Sequence, residues 1–138
     1  MLSKPEYGWS TVTIADFQTH ASNMHDMPFT WLRACINGLK YNMPASFFIE
    51  EEGSSCIIVS YDYATHIIIE DRDCNCTLKT IEDLTLIDFA KMLVRDIKEY
   101  FEDWVKWYVF EDRETDYVRR RIELRKLIDE AERYLSAV

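Results

Sequence analysis

Glycine and proline are nearly absent from this chain. Glycine occurs only at positions 8, 38 and 53 and proline only at 5, 28 and 44, so neither breaker appears after Gly53. No two glycines lie close enough to build a phosphate-cradling loop, and few positions are left for the tight backbone turns that many active sites use. A nucleophile elbow, an H-E-x-x-H pair, an EF-hand loop and internal repeats are missing too. No stretch approaches the roughly 18 uncharged apolar residues of a membrane span, so no membrane partner is expected.

Basic residues are in the minority, 16 against 25 acidic ones, for a net charge of −9. Such a balance does not hold DNA or RNA by neutralising phosphates. It suits solubility, and it suits a protein partner with a basic surface. The opening residues, Met1-Leu2-Ser3-Lys4-Pro5-Glu6, carry no apolar signal core, so a cytoplasmic location is expected. The cysteines Cys35, Cys56, Cys74 and Cys76 are then expected to be reduced thiols.

What the chain does have is apolar material: 48% of its 138 residues are hydrophobic and 14% aromatic, enough for the core of one domain over 1–138. Thr11 to Ile14 is rich in β-branched residues and reads as a strand running towards Phe17. Pro28 suits a helix's first turn, and Phe29, Leu32, Ile36 and Leu39 follow at helical spacing until Gly38 to Asn42, with Pro44 barring continuation. Three short strands come next, at 46–50, 56–61 and 65–70, with turns at 51–54 and 62–64, which makes an antiparallel meander. Ile57, Val59, Ile67 and Ile69 are expected on one face of that sheet and Cys56, Ile58 and Ile68 on the other. Strands apolar on both faces should be covered on both, one by a helical layer and the other by a further helix or a second subunit.

Residues 72–80 read as a loop. Thr80-Ile81-Glu82-Asp83 and Thr85-Leu86-Ile87-Asp88 both resemble capping boxes with Asp in place of Glu. Ile87, Ala90, Val94, Ile97, Phe101, Trp104 and Tyr108 then recur every three or four residues, predicting a helix over 86–109 about 36 Å long. A second helix is predicted over 115–135; whether 110–114 is a hairpin or a bend is left open. The expected fold is therefore α+β: an antiparallel sheet of about four strands in the order β-α-β-β-β-α-α. The sheet-forming half covers about 9–71 and the helical half about 81–136, with two long C-terminal helices.

Candidate sites are thin. Cys74-x-Cys76 lacks the second ligand pair of a zinc site, and Cys35 and Cys56 fall in core elements. His20 and His25, with Asp16 and Asp26 nearby, match no ligand signature. His66 is expected to pack with one satisfied nitrogen. We therefore expect no catalytic set, cofactor or metal. Glu50, Glu51 and Glu52 precede Gly53 at a turn tip. Tyr100 and Trp107 flank the aromatic stripe, and together with the three glutamates they are the candidate partner-binding residues. Residues 82–116 carry 11 acidic and 5 basic side chains, and residues 117–138 carry 4 and 6, including Arg119-Arg120-Arg121. That asymmetry can pair two helices or two chains. The expected function is a non-enzymatic, self-associating protein-binding module, a homodimer through the C-terminal helices. Its sharper form is a small acidic inhibitor of the immunity or phage counter-defence kind. The alternative is a small enzyme or metal-binding protein using His20 and His25 or Cys74 and Cys76.

Overall fold

The computed structural model describes residues 1–108 and 114–138. It is α+β, with a two-stranded and a four-stranded antiparallel sheet. The hairpin β1 (Trp9–Ile14) and β2 (Phe17–Ser22) precedes helix α1 (Met27–Tyr41); β3 (Ala45–Glu50), β4 (Ser55–Ser60), β5 (Thr65–Glu70) and β6 (Cys76–Ile81) follow as a meander, then α2 (Leu86–Glu99), α3 (Phe101–Val105) and α4 (Glu114–Ser136). The predicted order holds, with two strands added and the second helix divided into α2 and α3.

The strand expected from Thr11 to Phe17 is two strands, paired Ile14 to Phe17 across Ala15 and Asp16. Ala15 takes a positive φ of 53°, the conformation such a turn needs and glycine usually supplies. The loop expected at 72–80 turns at Asp71 to Asn75 and then runs as β6. Asp71 Oδ1 accepts the backbone N–H groups of Asp73 and Asn75, both at 2.9 Å, while Cys74 holds φ 62°. The carboxylate organises the turn without glycine. Glu51 to Ser54, by contrast, turns as predicted, with Gly53 at φ 134°.

Helix α1 ends on Asn42 in the left-handed region, its N–H donating to the Gly38 carbonyl. Gly38 itself lies inside the helix: a Cβ there would stand 2.7 Å from Leu86 Cδ2, so it permits close approach rather than ending the helix. Of the two capping boxes, Thr85 with Asp88 starts α2, whereas Thr80 lies in β6. The predicted 86–109 helix breaks at Tyr100 (φ −118°, ψ 43°) and resumes as α3. The connection expected at 110–114 falls mostly outside the described residues.

The core lies between one face of the four-stranded sheet and α1 and α2. Phe47 stacks on Phe89 with centroids 4.2 Å apart, and Trp31 meets Phe47 edge-on. Ile49, Cys56, Ile58 and Ile67 point the same way and are buried. Helix α4 packs against α1, α2 and α3, burying Leu124, Leu127, Ile128 and Ala131. Among the described residues no helix is long and apolar enough to cross a membrane.

The register corrects the expected faces. Ile57 stands opposite Ile68 and Ile58 opposite Ile67, so Ile68 joins Ile57 and Val59 on the outer face, and Ile67 and Ile69 join Cys56 and Ile58 inside. Alternation fixes the faces within a strand, but turn length fixes the phase between strands. Of the covers expected for the two faces, the described residues supply only the inner one, helices α1 and α2; no helix of the described residues lies over the outer face.

Candidate functional site

Three cross-strand rows form the outer face of the β3–β6 sheet. The central row is Phe48, Ile57, Ile68 and Leu78. Ile57 is 40% exposed, Ile68 38% and Leu78 66%. One neighbouring row is Ser46, Val59, His66 and Thr80; the other is Glu50, Ser55, Glu70 and Cys76. The face thus grades from a polar end through an aliphatic centre to an end rich in carboxylates, which the exposed Asp71 and Asp73 extend on either side of Arg72.

At the polar end His66 is more fully satisfied than expected. Its Nδ1 lies 2.8 Å from the Thr80 hydroxyl and its Nε2 3.0 Å from the Tyr61 hydroxyl, with the Tyr61 ring stacked on the imidazole. Both nitrogens are partnered, as in a structural histidine.

The glutamate triplet divides. Glu50 points to the outer face and its Oε1 accepts the Glu52 N–H at 3.0 Å. Glu51 turns back to accept the Thr19 hydroxyl from the hairpin, while its other carboxylate oxygen, Oε1, is buried without a partner. Glu52 is exposed. Thr19 with Glu51, and Asp16 with Lys79 at 2.7 Å, tie the hairpin to both sides of the sheet. Lys79 Nζ, through its hydrogen bond, holds the Asp16 carboxyl below its ordinary pKa.

The histidines expected as a possible pair are engaged separately. His20 lies on β2 with Nδ1 3.1 Å from the Thr11 hydroxyl. His25 lies before α1, with Nε2 2.9 Å from the Thr30 hydroxyl and its ring edge-on to Phe48. Burial lowers the His25 pKa, against the opposing pull of Asp26 and Glu50. Among the described residues no group of three or more His, Cys, Asp and Glu side chains is placed to hold a metal ion.

All four cysteines are free thiols, Cys35 and Cys56 buried and Cys74 and Cys76 exposed. Burial pushes the Cys35 thiol far above its ordinary value and Cys56 up to about 12, with the Glu51 charge adding to the latter.

The aromatic flank is not a surface. Trp107 is 3% exposed, and its indole N–H donates to the His25 carbonyl at 2.9 Å; Tyr100 is half-buried against the core. The break at Tyr100 turns the α3 segment so that Trp104 and Trp107 pack together, centroids 5.1 Å apart. Most of the apolar surface that suggested an interface on the C-terminal helices is therefore buried within one chain; Val118 and Ile122 remain exposed on α4. The arginine run pairs internally: Arg119 with Asp116, Arg120 with Asp26 and Arg121 with Glu102.

The outer row itself is not evident from any single strand of the sequence. The signal of its edge strand β6 is present in Thr77-Leu78-Lys79-Thr80-Ile81, a β-prone alternation after a turn-forming Asp-Arg-Asp. Compared with protein-family models, curated proteins and solved structures, the chain matches none.

Proposed function

We propose that this protein is a non-enzymatic binding module for another protein and that it binds through the outer face of the β3–β6 sheet. The observation that supports this is the row Phe48, Ile57, Ile68 and Leu78, in which Phe48 is half-buried against His25 while the aliphatic Ile57, Ile68 and Leu78 are exposed. A sheet facing water normally alternates apolar inside and polar outside; a contiguous outer apolar row marks an interaction surface. The carboxylate-rich end at Glu50, Glu70, Asp71 and Asp73 adds the second property of the partner, a basic flank. This is the surface a small acidic inhibitor uses to cover a basic site. Glu50 and Glu52 remain as contact residues, whereas Glu51, Tyr100 and Trp107 serve the fold.

The test is site-specific photo-crosslinking in the organism's own cells. A photo-reactive residue at position 57 should give a discrete protein adduct, and one at position 122 on α4 should not. Adducts from 122 alone would overturn the assignment in favour of the C-terminal helices.

A further inference from the structure

Strand β6 is an edge: it pairs with β5 on one side and with nothing among the described residues on the other. Its six residues pair with β5 one to one, from Cys76 opposite Glu70 to Ile81 opposite Thr65, so no bulge bends it away. Among the described residues, no other backbone group bonds to residues 76–81. Two other edges are partly engaged. Trp31 Nε1 donates to the Phe48 carbonyl of β3 at 2.9 Å. Along β1, Thr13 N donates to Met1 O and Ser3 N to Thr11 O.

Proteins usually blunt such an edge with proline, a bulge or a charged side chain, an inward-pointing one included. Here β6 has no proline or bulge; its one charge, Lys79, points inward and is offset by Asp16 at 2.7 Å, which leaves the outer face of the strand without a charge of its own. Thr77, Leu78 and Thr80 are exposed, and all are at home in a strand. An extended segment can therefore add along about 20 Å of free backbone.

Charge selects the occupant. Exposed Asp71 and Asp73, with exposed Arg72 between them, stand before β6 and exposed Glu82 and Asp83 after it, so both ends stay net negative. A second copy pairing antiparallel through the same edge would set Asp71 and Asp73 of one chain against Glu82 and Asp83 of the other, at both ends. Like charges in that arrangement oppose self-pairing. A segment with cations at its two ends meets attraction at both.

We propose that β6 is a strand-addition site for an extended segment of another protein, aliphatic or β-branched in its middle and basic at both ends. This rests on the protein-binding reading above and names the edge and the chemistry of the partner.

The test uses the full chain and a peptide of alternating valine and threonine with lysines at both ends. Amide exchange and chemical shifts are followed by NMR. Binding should protect amides within 76–81, weaken as salt is added, and fall about tenfold for a glutamate-ended peptide or for a Glu82→Lys/Asp83→Lys variant. A second variant, Asp73→Lys, should lose part of the affinity from the other end. Shifts at Ile57 and Ile68 without protection at 76–81 would overturn strand addition while leaving the sheet-face reading standing. Protection of 76–81 in the peptide-free chain, with a dimer by light scattering, would make the occupant a second copy and overturn the proposal. Absence of any peptide binding would also overturn it, and the crosslinking at position 57 judges the broader reading separately.

Discussion

Arg120 on α4 grips Asp26, the residue before α1, with two hydrogen bonds: Nη1 to Oδ2 at 2.8 Å and Nη2 to Oδ1 at 3.0 Å. The same guanidinium lies over the Phe29 ring, 4.4 Å from its centroid, and its Nε donates to the Val105 carbonyl. One side chain so joins α4, α1 and the end of α3. Arg120→Ala should cost about 2 kcal/mol, below the usual loss for a fully buried pair because both partners keep some water contact. Arg120→Lys should restore only part, since an ammonium cannot make the fork. Urea unfolding checks both; an unchanged midpoint for Arg120→Ala would remove this residue from the account.

Trp104→Ala and Trp107→Ala should both cost about 3–5 kcal/mol. Both rings are buried. The periodicity predicts a large loss only for Trp104, with Trp107 off the stripe's centre, and the turn at Tyr100 removes that distinction. A near-parental midpoint for Trp107→Ala would contradict the packing described.

The buried carboxylate of Asp96 predicts an acid-sensitive step. Burial pushes its pKa up, but the Arg95 guanidinium, the Leu2 N–H and the Met1 ammonium outweigh that and hold it below the ordinary value. Because the folded value is depressed, its stabilisation is complete above the unfolded pKa of about 3.9 and is lost as pH falls through the lower folded value. Stability measured against pH should show this loss in the parent, and Asp96→Asn should flatten it. An equally steep acid limb in the variant would assign the loss to other carboxylates.

Thiol modification should be biphasic in the native protein. Cys74 and Cys76 are exposed and should react quickly, whereas Cys35 and Cys56 are buried with raised pKa values and should react only after unfolding. Rapid labelling of all four would show that the core opens readily.

What could be read from the residues was local. The β-branched runs at 56–60 and 65–69, the turn at Gly53, the stop before Pro44 and the cap at Thr85 all speak through nearby chemistry, and each is found in the fold. What was hidden is conformational or tertiary. Ala15 and Cys74 adopt positive φ without being glycine, which concealed two turns and with them β6. Register decides whether Ile67 or Ile68 shares a face with Ile57, and no single strand contains that information. Trp107 looks like a flank on a straight helix and becomes core only because the chain breaks at Tyr100.

The proposed function requires that the outer row of the sheet be apolar for a partner and not for the fold of this chain. Urea unfolding of the isolated Ile57→Thr/Ile68→Thr/Leu78→Thr variant tests it most directly, since threonine keeps the strand preference and removes the aliphatic surface. Exposed cross-strand contacts of this kind carry about 0.2–1 kcal/mol each, so the three changes together should cost no more than about 3 kcal/mol. A loss of about 6 kcal/mol or more, the scale of several buried aliphatic truncations, would contradict it and make that face part of the core.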